Sequence, residues 1–298
     1  MIGATYEVTS DPPQPVDPNA PSQVFACATS AAAQIQLVGL HTIEPEKPLS
    51  ANALVTDASG NPLPGAIVHL RIDAVPNSGG HTHGDDNSPL RRGKLSGVGP
   101  EIVATVPTGP DGVFGFTFNA PSVSGAYQIT ASCDDRPCVQ VGAKTVDVKV
   151  DGLFTLAALS AYNFAGGTAA HPDNHYLILT AAAVAQRLAI HYRNTFPTSP
   201  VLTYNDASLN WGGTFDITCA SGASPCNWAS PHSEHKRGVV MDVRANRTVD
   251  AIPVANYKKF RQLVRMLGGD PHYECDPAQA HTKPCTEHFH VRLLGRAE

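Results

Sequence analysis

Between residues 34 and 150, seven short runs rich in β-branched residues are separated by turn clusters, and this pattern constrains the fold most strongly. The runs are IQLVGL, SANALVTD, AIVHLRID, EIVATV, VFGFTFNA, AYQITASC and TVDVKV. Gly, Pro, Asn and Asp fill the segments between them, as at residues 58–62 and 109–112. Seven short strands at this spacing predict an all-β sandwich.

The pattern changes after Asp151-Gly152, where helical segments begin. Residues 173–196 predict one helix, with Asp173 or Asn174 as its cap and Pro197 beyond its end. A second helix is predicted by apolar residues at helical spacing and by the glycine pair that follows them. These are Phe260, Leu263, Val264, Leu267 and Gly268-Gly269.

Four strand-like runs accompany these helices: PVLTYN, TFDIT, GVVMDVR and HFHVRLL. They predict an α+β unit in which helices pack on a small antiparallel sheet. The expected organisation is therefore a flexible Pro-rich lead (1–33), a β-sandwich (34–150) and an α+β domain (151–298).

The composition argues against several partners. The net charge is −5 and only 16% of the residues are charged, without a basic block, so nucleic acid and anionic membranes are not expected partners. No apolar run approaches the roughly 18 residues of a membrane span. The first residues also lack the basic-then-apolar pattern of a signal peptide, so we expect no leader in this chain.

Six of the seven cysteines form close pairs in the sequence. The pairs are Cys133 with Cys138, Cys219 with Cys226, and Cys275 with Cys285, and Cys27 is left over. The gaps are not those of zinc ribbons or redox motifs, so they favour small disulfide-closed loops and an extracytoplasmic location. Reduced, buried thiols are the alternative.

An acid stands inside the apolar run GVVMDVR: Asp242. A buried carboxylate is costly unless a positive group faces it. Alternation along a strand places Asp242 on the face opposite Met241 and Val243. A tight turn at Gly238 would fold His235 back over this strand.

The C-terminal run TEHFHVRLL repeats the pattern, with His288 and His290 on the face opposite Phe289 and Val291. A His–Asp–His set around one ion, with the fourth position open to water, is typical of a catalytic zinc site. The alternative is a chance cluster, since the chain contains 13 histidines.

The loop GGHTHGDDNSP offers a second set of polar groups, His81, His83, Asp85 and Asp86. A divalent ion could bind there, but a solvated polar loop is the favoured interpretation.

Two stretches resemble known families. The segment VTDASGNPLPGAIVHL, with TGPDGVFGFTFNAPSVSGAYQITAS after it, resembles bacterial immunoglobulin-like modules over about a hundred residues. SEHKRGVVMD resembles the S-x-H-x-x-G-x-A-x-D pattern of the zinc peptidases that include lysostaphin-like enzymes, D-Ala-D-Ala carboxypeptidases and the hedgehog signalling domain, with Val240 in place of Ala. Together with SLNWGGTFDI and HFHVRL, it looks most like penicillin-insensitive murein endopeptidases.

The second resemblance covers about the last 100 residues and implies site roles. It implies that His235, Asp242 and His290 bind one Zn²⁺ per chain. In carboxypeptidase-type relatives the general base is a Glu three residues before the last ligand, which is Glu287 here. In relatives with an H-x-H motif it is the first His, which is His288. Strand alternation favours His288, and both candidates stay open.

The same resemblance suggests substrate-binding candidates: His232, Arg237 and Trp211. His232 could equally be a turn residue, and Trp211-Gly212-Gly213 is better explained as a structural turn. Cys285 departs from the pattern, since such endopeptidases tend to carry a His there. His272 and His281 are expected at the rim or on the surface.

The predicted function is that of an extracytoplasmic zinc peptidase that hydrolyses peptide or amide bonds, most plausibly in peptidoglycan. One alternative is a non-catalytic, zinc-stabilised binding or adhesion protein. The other is a secreted metalloprotease that acts on proteins.

Overall fold

A computed structural model describes residues 34–82, 89–96, 106–133, 142–215, 233–245, 249–274 and 288–295. Within these ranges the protein is mostly β, with several sheets and two helices of ten residues or more. The strands are β1 (Gln34–Val38), β2 (Pro48–Thr56), β3 (Ile67–Ala74), β4 (Lys94–Leu95), β5 (Val106–Pro107), β6 (Val113–Asn119), β7 (Gly125–Cys133), β8 (Gly142–Val148), β9 (Leu153–Thr155), β10 (Tyr162–Phe164), β11 (Tyr176–Ile178), β12 (Leu202–Tyr204), β13 (Val240–Arg244), β14 (Asp270–Glu274) and β15 (His288–Arg292). The helices are α1 (Pro89–Arg92), α2 (Leu179–Thr195) and α3 (Tyr257–Met266), with 3₁₀ helices at Ser233–Arg237 and Val254–Asn256.

Two four-stranded sheets, in the orders β1-β2-β6-β4 and β5-β3-β7-β8, form the N-terminal half of the described chain. Alternate residues of β2, namely Ala51, Ala53 and Val55, are buried in the hydrophobic core that the two sheets share. Because side chains alternate between the two faces of a strand, one face of β2 is buried and the other is more exposed to solvent. Apart from the four-residue helix α1, the regular structure described in this part consists of strands, as the sequence predicts.

A five-stranded sheet, in the order β10-β12-β13-β15-β14, forms the centre of the C-terminal half. The prediction of an antiparallel sheet is wrong for one pair, because β10 and β12 run parallel. Helix α2 lies between these two strands in the chain and provides the long crossover that a parallel pair needs. The other three pairs are antiparallel.

Helix α2 begins at Leu179, not at residue 173 as the sequence predicted. The three residues before it form β11, which pairs with β9. Asn174 is buried and donates from its amide to the Gly166 carbonyl (3.3 Å) and to the Asp206 carboxylate, so it does not cap the helix. A tertiary strand pairing therefore replaced the first turns of the predicted helix.

Helix α3 follows the predicted spacing. Phe260, Leu263 and Val264 are buried in the core of the C-terminal half, and Leu267 packs against that core. Gly268 has a φ of 87°, a left-handed conformation that favours glycine at the end of a helix.

Cys133 ends β7, whereas Cys27, Cys138, Cys219, Cys226, Cys275 and Cys285 lie outside the described residues. The three disulfides therefore stay predictions. No helix in the described part of the chain is long and apolar enough to cross a membrane.

Candidate metal centre

The side chains that could bind a metal lie on the polar face of the C-terminal sheet. Pairing of β13 with β15 sets Asp242 directly opposite His290. The alternate residues Met241 and Phe289 are buried in the hydrophobic core below. The predicted alternation of faces is confirmed, so the core residues position the polar side chains above them.

His235 reaches this face from the 3₁₀ helix Ser233–Arg237. Gly238 follows with a φ of 64°, and its N–H donates to the His235 carbonyl (3.3 Å). A Cβ at Gly238 would collide with Leu153, so the turn needs glycine. The turn brings His235 Nε2 to 3.4 Å from Asp242 Oδ1.

His235, Asp242 and His290 form one buried group whose ligand atoms lie within 4.8 Å of one another. His290 Nδ1 is 2.9 Å from Asp242 Oδ1. Two ligands at usual zinc distances around a tetrahedral ion lie about 3.3–3.4 Å apart. The 3.4 Å between His235 and Asp242 fits this spacing, whereas the 2.9 Å between His290 and Asp242 is the length of a hydrogen bond. The group could hold a metal ion, and its two imidazoles and one carboxylate suit zinc.

The histidines also determine the charge of Asp242, whose relative exposure is 2%. Burial acts to raise its pKa, but the charges of His235 and His288 and the hydrogen bonds from His235 and His290 outweigh burial and hold the pKa well below its usual range. The carboxylate is therefore ionised.

Glu234 orients His290 from the far side of the ring. Its Oε2 lies 3.1 Å from His290 Nε2, which donates, so Nδ1 is the ring atom directed at Asp242. Arg292 donates hydrogen bonds to both oxygens of the same carboxylate (2.7 Å each). The hydrogen bond from Arg292 is the main reason why the pKa of Glu234 is lowered to about 2. A carboxylate partner of this kind fixes the orientation of a ligating histidine.

We expect Glu234→Gln to weaken zinc binding by about 10–100-fold, as is typical when the outer partner of a metal-binding His is lost. The amide cannot pair with Arg292 as a carboxylate does, and it need not accept from His290. Competition with a chromophoric chelator measures the affinity. The control is Glu46→Gln, because Glu46 binds Lys236 (3.0 Å) rather than a metal-site histidine. Equal zinc affinities in the wild-type protein and in both variants would contradict the orienting role of Glu234.

His288 lies beside this group, as strand alternation predicted. Its Nε2 is 3.3 Å from Asp242 Oδ2 and 3.3 Å from Glu274 Oε2. Its relative exposure is 9%, so it sits at the edge of the buried group. Glu287, the other base candidate, lies outside the described residues.

Three acidic residues of the site were missed by the sequence analysis: Glu234, Glu274 and Asp206. Burial and the Asp242 charge raise the pKa of Asp206 to about 7. Glu274 faces His288 in the register of β14 with β15, and the hydrogen bond from His288 lowers its pKa. Only the pairing of β14 with β15 reveals Glu274, whereas Glu234 could have been noticed within the SEHKRG motif.

Two of the substrate-binding candidates, Arg237 and Trp211, are not part of the candidate metal-binding group. Arg237 is exposed, and half-buried Trp211 lines a cleft of about 400 Å³ with residues 77–82 and Asp173. His232 lies outside the described residues. Trp211 also forms part of the junction between the two halves, since its carbonyl accepts from Val150 N–H (2.9 Å).

The second predicted polar cluster is described only in part. His83, Asp85 and Asp86 lie outside the described residues. His81 is buried, with Nδ1 3.2 Å from His171 Nε2. His281 is outside the described residues, and His272 is exposed, as predicted.

The β-sandwich supports the segment that carries His235. Gly213 N–H donates to the Lys236 carbonyl (2.9 Å), next to His235. On its other side, Ser124 of the sandwich donates from Oγ to the Gly212 carbonyl (2.6 Å). The sandwich therefore helps to hold the segment of a candidate metal ligand, although none of its described residues belongs to that group.

Comparison with known proteins identifies no family for this chain. No protein-family model matches it, and no curated protein matches it. Among solved structures it is similar to domains 4 and 5 of the S-layer protein SbsC, at 13% identity and a TM-score of 0.25, over 40% of this chain and 46% of that chain. The chain thus spans less than half of that structure.

Two further solved structures show comparable similarity. The CARDB domain of PF1109 from Pyrococcus furiosus, in complex with di-metal ions, has 19% identity and a TM-score of 0.25 over 40% of this chain and 88% of that chain. The Yersinia pseudotuberculosis adhesin InvE has 13% identity and a TM-score of 0.26 over 45% of this chain and 31% of that chain. Similarity at this level assigns neither a family nor an activity. The fold and the site define the chain as a mostly β protein with a buried His–Asp–His group of metal-binding geometry.

Proposed function

We propose that the protein is an extracytoplasmic zinc-dependent peptidase that hydrolyses peptide or amide bonds, with peptidoglycan as its substrate. The observation that carries this proposal is the buried His235–Asp242–His290 group, with His288 Nε2 only 3.3 Å from the same carboxylate. A metal-binding trio beside a titratable imidazole is the minimum that metal-assisted hydrolysis requires.

His235, Asp242 and His290 would hold the zinc. A zinc ion in such a site polarises a scissile carbonyl and lowers the pKa of its bound water towards ~7. His288 would accept a proton from the attacking water and return it to the leaving amine. Glu274 lies 3.3 Å from the same His288 nitrogen and would stabilise a protonated imidazole there.

Two half-exposed acidic side chains border the buried group. The side chains of Glu234 and Glu274 are 45% and 49% exposed, whereas that of Asp242 is 3% exposed. The candidate metal-binding side chains are therefore buried next to two half-exposed carboxylates. The choice of peptidoglycan as substrate rests on the sequence resemblance to murein endopeptidases, with Glu287 retained as the alternative base.

A second candidate is a non-catalytic, zinc-stabilised binding or adhesion protein with an immunoglobulin-like module. The observation that favours it is the β-sandwich, which contributes no residue to the metal-binding group among the described residues. Such a protein would bind wall fragments without cutting them.

Digestion of purified sacculi with zinc-loaded protein tests the proposal, since mass spectrometry of the products identifies the new termini. We expect released muropeptides with one class of new terminus, loss of activity after dialysis against EDTA, and recovery with zinc. Casein and pentaglycine peptides, tested in parallel, would reveal a secreted protease if casein is cut and sacculi are not. Binding of muropeptides without cleavage over hours would favour the adhesion candidate, and full activity after EDTA would refute the zinc mechanism.

A further inference from the structure

The two long helices of the C-terminal half form a basic layer. Helix α3 contains four lysines and arginines, helix α2 contains two arginines, and neither helix contains an acidic residue. Five of these cations are exposed: Arg187, Arg193, Lys258, Lys259 and Arg265. The sixth, Arg261, lies over the Phe289 ring (5.4 Å). The chain as a whole has a net charge of −5, so the overall composition conceals this local positive charge.

The basic layer covers the face of the C-terminal sheet that is opposite the candidate metal centre. Phe260 of α3 packs against Phe289 of β15, with ring centroids 4.8 Å apart. Tyr192 of α2 lies 6.1 Å from Phe260 by the same measure. All three side chains belong to the hydrophobic core, whereas His290 projects from the other face of the sheet. The outward surface of the helices therefore points away from the metal-binding group.

Acidic neighbours do not neutralise the exposed cations of this layer. The acidic residues that flank α3 in the sequence pair with other arginines, Asp250 with Arg244 (2.5 Å) and Asp270 with Arg292 (3.4 Å). Among the described residues, no ion pair involves the five exposed cations. Two arginines of α3 are four residues apart, a like-charge spacing that destabilises a helix slightly. A solvated helix face usually alternates the signs of its charges, so charge of one sign favours an anionic partner.

Exposed apolar side chains accompany the cations of α3. Val254, in the short helix before α3, is 60% exposed, and Met266, the last residue of α3, is 61% exposed. Met266 follows Lys259 by seven residues, so the two lie on the same side of the helix. A soluble polyanion offers nothing apolar to these side chains, whereas a lipid surface accepts cations at its phosphates and apolar side chains at the acyl boundary. The combination therefore favours a lipid surface over a free phosphate polymer.

We propose that the outward face of α2 and α3 binds the surface of an anionic lipid bilayer as a peripheral contact. Each Lys or Arg near such a surface strengthens binding by roughly fivefold, and exposed apolar side chains add to it. The composition did not predict this partner, because the cations come from two separate segments of a chain whose net charge is negative. A protein bound in this way directs its metal-binding group away from the lipid. For the proposed peptidase that direction is towards peptidoglycan, and this consequence alone rests on the proposed function.

Co-sedimentation with vesicles tests the proposal without zinc or substrate. Vesicles of phosphatidylglycerol mixed with phosphatidylcholine are compared with vesicles of phosphatidylcholine alone. We expect at least about tenfold tighter binding to the anionic vesicles, and a loss of this preference at about 1 M salt, where the Debye length is roughly 3 Å. Equal binding to both vesicles at low salt, or no binding to either, would overturn the proposal and leave the peptidase proposal untouched.

The double substitution Lys258→Glu/Lys259→Glu reverses two exposed charges of α3. We expect it to weaken binding to the anionic vesicles by at least about tenfold. Lys94→Glu/Lys144→Glu is the matched control, because it changes the net charge equally at exposed lysines of the β-sandwich. An equal loss in both double variants would show a general effect of net charge and would overturn the assignment to this face.

Val254→Ser/Met266→Ser distinguishes a lipid surface from a phosphate polymer, because it keeps every cation. We expect weaker binding to the anionic vesicles and unchanged binding to inorganic polyphosphate. If binding to the vesicles were also unchanged, the face would recognise phosphate alone and the lipid proposal would be wrong. All the substituted side chains are exposed, so each variant should unfold at the temperature of the wild-type protein, which thermal unfolding checks.

Discussion

Asp242→Ala is expected to abolish zinc binding and hydrolysis together. Asp242 is the one carboxylate of the buried group, and it faces His235 and His290 at 3.4 and 2.9 Å. Its loss removes a metal ligand and the only negative charge of that group. The affinity for zinc should therefore fall by more than the roughly 100-fold upper value for the loss of an outer partner. Elemental analysis after gel filtration and turnover on sacculi measure the two effects.

Asp250→Ala is the matched control for this substitution. Asp250 forms an ion pair (2.5 Å) with Arg244, which lies on the same strand as Asp242. Asp250 is not among the residues that could bind a metal. We expect it to keep one zinc per chain. If Asp242→Ala also kept its zinc, His235 and His290 would be sufficient for binding and the assigned ligand set would be wrong.

His288→Ala is expected to separate turnover from metal binding. His235, Asp242 and His290 stay in place, so one zinc should remain. Turnover should fall by about 10²–10⁴-fold if His288 is the sole acid–base group. Steady-state hydrolysis and zinc content, measured on the same preparation, give both values.

Glu287→Ala is the matched control, since it removes the competing base. Loss of turnover with zinc retained in this variant, with normal turnover in His288→Ala, would make Glu287 the base. Loss of zinc in His288→Ala would instead show that His288 is a zinc ligand. Full activity in both variants would direct attention to His232.

Much of the fold follows from local patterns. The β-branched runs at residues 35–40, 50–57 and 126–133 became β1, β2 and β7, because alternate burial of their side chains requires strands. The start of α2 did not follow, because the pairing of β11 with β9 outweighed the helical pattern of residues 176–178. The local spacing of apolar residues does not indicate which distant segments pair as strands.

The candidate ligands His235, Asp242 and His290 could be predicted from the sequence because they occur in two recognisable motifs. Asp242 in an apolar strand requires a positive partner, and His235 and His290 fit the zinc-peptidase pattern. Alternation then placed His288 on the same face. The polar face of the site is thus a consequence of local chain geometry.

Only the tertiary structure decided the surroundings of that face. Glu274 enters because β14 pairs with β15, and Asp206 because its backbone carbonyl accepts from Asp242 N–H (2.7 Å). Ser124 reaches the segment that holds His235 from the other half of the chain. The sequence by itself determined which residues share a strand face, since alternation is a property of consecutive residues. The positions of the neighbouring acidic residues follow from the order of the strands in the sheet, and the support of His235 follows from contact between the two halves. Both arise only when segments that are distant in the sequence pack together.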